Sequence, residues 1–157
     1  MIPYTVCWLT WNPGYDKVFR RRNKMKNIFE LSISTGRRNE LINITSSVQK
    51  CISESGIEDG LCLVFIPHTT AGVTINENAD PDVAYDIVNH LTRIVPPGGY
   101  AHSEGNSDSH IKSSLTGPSL TLIISGGRAV LGTWQGIYFA EFDGPRHRKY
   151  FVKCLEG

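Results

Sequence analysis

The sequence predicts an α+β domain in which strands dominate. Short runs that alternate apolar and polar residues recur along the chain. Two stretches carry apolar residues at helical spacing, and the last third reads as strands separated by glycine-bearing turns. The chain has 157 residues, 40% of them hydrophobic and 20% charged, which suits one soluble-type domain with a real core.

The regular pattern starts near Met25. Phe29, Leu31 and Ile33 alternate with Glu30, Ser32 and Ser34, the mark of a half-buried strand, and Glu40 to Ile44 alternates likewise. Thr45 or Ser46 is placed to cap a helix carrying Val48, Cys51 and Ile52, which Gly56 ends. Leu61 to Ile66 is a continuous apolar run, expected to be a strand buried on both faces, and Ala71 to Ile75 is a further short strand. Asp80-Pro81 reads as a cap followed by proline in the first helical turn. Ala84, Ile87, Val88, Leu91 and Ile94 then form one face, expected to be buried.

Pro96 to Asp108 is a long polar stretch rich in glycine, and such loops inside compact domains are often functional. A short helix is expected around residues 109–115. Leu120–Ile124 and Ala129–Leu131 flank Gly126-Gly127, a hairpin signal, and strands over Trp134–Phe142 and Tyr150–Leu155 complete the pattern. The expected helix count is two or three.

Residues 1–24 differ from the rest. They are aperiodic and aromatic, and hold five basic residues against Asp16, a charge of +4 that leaves −3 on the remainder of a chain with net charge +1. The expected organisation is an atypical, dispensable N-terminal extension over 1–24 and a domain over 25–157. The basic cluster follows the first apolar residues, which is not signal-peptide order, and no apolar run reaches bilayer length. Cys7, Cys51, Cys62 and Cys154 form no CxxC pair and read as buried thiols of a reducing compartment. A cytoplasmic protein is expected. A mildly acidic body is a poor binder of nucleic-acid backbone. No Walker A loop, GxGxxG or HExxH motif is present.

Three histidines fall in polar, turn-rich contexts: His68, His102 and His110. Three converging imidazoles are a known way to hold zinc or a similar divalent metal with one position open, although each alone reads better as a surface or hydrogen-bonded imidazole. His90 borders an apolar helix face, and His147 lies in a basic run. Asn76, Glu77 and Asn78 form a dense polar group: amides fix a substrate by paired donors and acceptors, and a carboxylate orients a metal-bound histidine. An Asx-type turn explains the same residues equally well. Lys112, Ser113 and Ser114 follow His110 and suit a phosphate at a helix start, or a solvated helix end. Glycines at 132 and 136 imply a bulge or a close backbone approach, with Trp134 and Gln135 available as a pocket wall or as core. Glu141 lies in an apolar strand and needs a partner if buried.

Taken together, Pro67-His68-Thr69-Thr70, Asn76 to Pro81, His102, Ser109 to Ser114, and Gly132 to Ile137 with Glu141 resemble the YjbQ-like, or UPF0047, family over nearly the whole chain after Met25. The resemblance implies a YjbQ-like fold that assembles as a homotrimer. It also implies a secondary thiamine-phosphate synthase activity, condensing hydroxymethylpyrimidine pyrophosphate with thiazole phosphate. On that reading His68, His102 and His110 hold a divalent metal, zinc or magnesium-like. Glu77, Lys112 and Glu141 are the catalytic residues, and Asn76, Asn78, Ser113, Trp134 and Gln135 bind substrate. A metal-dependent phosphate-ester hydrolase and a non-catalytic binder of a small anionic ligand stand as alternatives. The expected partners are a small phosphorylated substrate and further copies of the chain, with neither nucleic acid nor membrane.

Overall fold

The structure is a computed structural model and describes residues 28–157, so the expected extension over 1–24 lies outside the described residues. Eight strands and three helices follow one another in the order β1 (Ile28–Ser34), β2 (Glu40–Asn43), α1 (Thr45–Ser55), β3 (Gly60–Phe65), β4 (Ala71–Glu77), α2 (Pro81–Ile94), α3 (Ser107–Thr116), β5 (Ser119–Ser125), β6 (Arg128–Ala129), β7 (Gln135–Glu141) and β8 (His147–Glu156). Strands dominate, as expected, and the class is α+β.

The strands form two antiparallel sheets. One has the order β1-β8-β3-β5-β6 and the other β2-β7-β4. The core contains Val48 and Ile52 of α1, Cys62, Val64 and Val152 of the larger sheet, and Val73, Ile137 and Phe139 of the smaller one. These are alternate residues along each strand, because side chains on a pleated strand point to opposite faces.

Alternation corrects one expectation. β3 is not buried on both faces: Cys62 and Val64 are fully buried, but Leu61 is 44% and Phe65 41% exposed. No described element covers the outer face of the larger sheet at this point. The apolar run therefore identified the strand but misplaced one of its faces.

The helix ends follow their sequences unevenly. Asp80 caps α2 by accepting the Asp82 N–H at 2.9 Å, with Pro81 behind it, as the sequence signal requires. α1 is different. Neither Thr45 nor Ser46 caps it; the cap residue is Ile44, and the Asn43 side chain accepts the Thr45 N–H at 2.9 Å instead. Gly56 ends α1 with φ 65°, a left-handed conformation that glycine adopts without steric cost. The apolar face of α2 is also less covered than expected. No residue of α2 is fully buried, and Ile94 is 58% exposed. Among the described residues no helix is long and apolar enough to cross a membrane.

Candidate functional site

Four connections meet at one end of the smaller sheet: the β1–β2 turn, the chain between β3 and β4, the start of α3, and the β7–β8 turn. Two ionic groups fill that end.

The first centres on Glu141, which is fully buried at the end of β7. Arg148 Nε donates to Oε2 and Nη2 to Oε1, both at 2.7 Å, a two-pronged pairing of the kind arginine makes with carboxylates. The N–H groups of Phe142 and Asp143 donate to Oε1 at 3.0 and 2.9 Å, and the Thr35 hydroxyl lies 3.1 Å from Oε2. Burial alone raises the Glu141 pKa; Arg148, the Asp143 amide and Thr35 outweigh it and hold the carboxyl below its ordinary value. Arg148 also donates to Thr70 Oγ1 at 2.8 Å. The partner that Glu141 needs is thus Arg148, seven residues further along the chain.

The second group centres on Asp108 in the first turn of α3, where Lys112 Nζ and Arg38 Nη2 donate to its two oxygens at 2.8 and 3.0 Å. Asp143 extends the group, paired with Arg146 at 2.7 Å and Arg38 at 3.8 Å. Burial raises the Asp108 pKa, but Lys112 and Arg38 reverse the sign and the carboxyl sits below its ordinary value. Ser109 Oγ donates to the Phe142 carbonyl and Ser113 Oγ, at 2.7 Å, to that of Ala71, so α3 is bonded to both neighbouring strands.

This placement corrects two readings. Lys112 is not at a solvated helix end and does not face a ligand: its side chain is 0% exposed and paired with Asp108. Ser113 is buried with its hydroxyl committed to Ala71.

Outward from this layer, His110 of α3 meets His102 of the preceding loop. Their ring centroids are 5.6 Å apart and the rings meet edge to face. Both line a cavity of about 530 Å³ with Tyr100, Ala101, Ser107 and Ile111. Glu104 stands 3.5 Å from His102 Nε2. His68 is held elsewhere, its Nε2 at 3.1 Å from the backbone N and O of Lys149. Burial and the nearby Arg148 charge lower its pKa. The expected three-histidine cluster is therefore not assembled: the described residues contain no group of three His, Cys, Asp or Glu placed to hold a metal ion. Two imidazoles meeting edge to face fall short of a three-histidine metal centre.

The remaining site residues lie at the opposite end of the smaller sheet. Ala71 pairs with Glu141 at one end of β4, and Glu77 pairs with Gln135 at the other. Six residue steps at roughly 3.3 Å separate Glu77 from Glu141 by about 20 Å along the sheet. Glu77 and Glu141 therefore do not share one centre. Asn76 is exposed and bonds the Glu77 N–H through its own side chain. The exposed Gln135 side chain accepts the Gly132 N–H at 2.8 Å. Trp134 is neither core nor pocket wall, being 64% exposed in the turn before β7. Asn78 does line a cleft, one of about 380 Å³ beside Asn43, Tyr138 and α2.

Asp108, Arg38 and Arg148 escaped sequence reasoning. Asp108 carried a usable signal, standing four residues before Lys112 on a helix, where such charges are neighbours. Arg38 and Arg148 carried none, because their partners are distant in sequence or on another element.

Fold and site define a strand-dominated α+β domain whose one end is an ionic layer beneath a histidine-lined cavity. The chain belongs to the UPF0047 protein YjbQ-like family, whose model matches residues 29–157. It is 54% identical over 132 residues to the UPF0047 protein MJ1081 of Methanocaldococcus jannaschii, covering 83% of this chain and 96% of that protein. It is 49% identical over 127 residues to the UPF0047 protein YugU of Bacillus subtilis, covering 80% and 96%. A crystal structure of a YjbQ/UPF0047 protein from Clostridium acetobutylicum, described as uncharacterized, superposes with TM-score 0.80 at 56% identity, covering 81% and 99%. A YbjQ-like protein of unknown function from Sulfolobus solfataricus superposes equally well at 31% identity, covering 83% and 96%. These relatives overturn the expected thiamine-phosphate synthase function: they are described by a family designation or as proteins of uncharacterized or unknown function, and none of these descriptions gives that activity.

Proposed function

We propose that the His102–His110 cavity binds a small anion, a phosphate monoester or a carboxylate, by hydrogen bonds and without a covalent step. One observation carries the reading. The lining holds two imidazoles and Ser107, while the Tyr100 hydroxyl is given to the Pro96 carbonyl and the Glu104 carboxylate stands 3.5 Å from His102 Nε2. The layer behind sets Arg38, Lys112 and Arg146 against Asp108 and Asp143, and Glu104 beside His102 balances the remaining cation. Imidazole N–H and hydroxyl groups together favour an acceptor-rich ligand. The ionic layer fixes α3 and so the position of His110, which limits the ordering needed on binding.

The test is a titration of the protein with phosphate and with a phosphate monoester, followed through the His102 and His110 ring resonances. Saturable shifts that His102→Ala and His110→Ala each weaken by about tenfold, the loss of one charge-assisted hydrogen bond, are expected. Binding unchanged in both variants removes the cavity from the reading.

We also propose that copies of the chain associate, as a trimer on the family resemblance. Leu61 pairs with both Ile123 and Leu155, and these three side chains form an exposed apolar row on the larger sheet. A monomer mass by light scattering removes this reading.

A further inference from the structure

α2 is amphipathic but stands off its sheet. None of its residues is fully buried, although Pro81, Ala84, Tyr85 and Val88 turn one face towards β2 and β7. The gap is a cleft of about 380 Å³. It lies beside the charged end and extends along β2 to the far end of that strand.

The two ends of the cleft differ in chemistry. Arg37 lies at one end; it is exposed, and among the described residues no carboxylate pairs with its guanidinium, while the neighbouring Glu40 carboxylate, also in the lining, is taken up by the Gly36 and Arg37 N–H groups. At the other end Asn43, Asn78 and Tyr138 form a hydrogen-bonded cluster. Asn43 Nδ2 donates to Asn78 Oδ1, and the Tyr138 hydroxyl lies 2.9 Å from Asn78 Oδ1 and from the Glu77 carbonyl. Asn78 Oδ1 is thereby the acceptor, which leaves the Asn78 NH2 group without a bond in that cluster. Burial, with the Glu77 charge adding to it, raises the Tyr138 pKa, so the phenol stays protonated. Between the ends, the wall is Ala84, Val88, Leu41 and the ring of Tyr85, which is 63% exposed. Arg37 precedes β2 and Asn43 closes it, so the four-residue strand separates the two ends.

A cation, a flat aromatic wall and an uncommitted pair of N–H donors along one cleft define a ligand class. We propose that this cleft is a second binding site, independent of the histidine cavity. It takes an elongated planar aromatic acid: carboxylate at Arg37, ring against Tyr85, and a carbonyl acceptor at Asn78.

The experiment uses the full chain and three probes. 4-Carbamoylbenzoate has the carboxylate, the ring and the far carbonyl. Benzoate lacks the carbonyl. trans-4-Carbamoylcyclohexanecarboxylate keeps both polar ends but is not flat. Side-chain amide resonances of Asn43 and Asn78 report binding. 4-Carbamoylbenzoate is expected to shift them saturably, with benzoate and the cyclohexane acid each weaker by about tenfold, the scale of one lost hydrogen bond or one aromatic contact. Arg37→Gln and Tyr85→Ala, both at exposed positions, are expected to weaken the first probe by a similar factor, and His110→Ala to leave it unchanged. Non-saturating shifts, equal binding of the flat and puckered acids, or full affinity in Arg37→Gln overturns the proposal.

Discussion

Asp108 and Lys112 stand one helical turn apart on α3 and meet at 2.8 Å, with side chains 1% and 0% exposed. A pair this deep is stable only because Arg38 satisfies the second carboxylate oxygen. Removing one partner leaves the other charged and buried. Lys112→Met is therefore expected to lower the unfolding free energy by about 3–5 kcal/mol. Asp108→Leu combined with Lys112→Met should recover much of that loss, since both charges then leave together. Urea denaturation measures it, and a double variant as unstable as the sum of the singles refutes the pairing argument.

Acidification should destabilise the protein in two stages. His68 has a folded pKa below its ordinary 6.5, so the unfolded chain takes up its proton first, and stability falls as pH drops through about 6.5. Asp108 and Glu141 have folded pKa values below the ordinary carboxylate range. Their contribution is present above an unfolded pKa of about 4 and is lost as pH falls through the folded values. Melting temperatures from pH 8 to pH 2 check this. His68→Gln should remove the upper stage and keep the lower one.

Gly136 is required by a close approach. A Cβ there would lie 2.7 Å from Asn78 Cβ and 3.0 Å from Asn78 Cγ. Gly136→Ala must displace Asn78, with a cost of about 1–3 kcal/mol. The amide resonances of Asn43 and Asn78 should move with it, and a variant with native stability and unchanged Asn78 shifts contradicts the prediction.

Cys51, Cys62 and Cys154 are buried cysteines. Burial and the neighbouring Cys154 push the Cys62 thiol far above its ordinary pKa, so it stays protonated and unreactive at neutral pH. Mass spectrometry after treatment with an alkylating reagent should find these three unmodified in the native protein and modified in denaturant. Rapid native labelling of Cys62 would show that the core opens readily.

Much of the architecture was legible in the sequence because its determinants are local. Alternation over residues 28–34, the Asp80-Pro81 cap and Gly56 each act within a few residues of themselves, and the structure has the corresponding strand, cap and stop. The paired glycines at 126 and 127 likewise turn β5 into β6. The family was legible too, from motifs spread over the chain. What the tertiary structure alone decided is which polar residues meet. Antiparallel register sets Glu77 opposite Gln135 and Glu141 opposite Ala71, so residues the sequence grouped together fall at opposite ends of one sheet. Arg38 reaches Asp108 across 70 residues. Lys112 looked like a ligand contact because the sequence shows its charge but not its depth. Burial and long-range ion pairing depend on how elements stack, and that information is carried by no short stretch of chain.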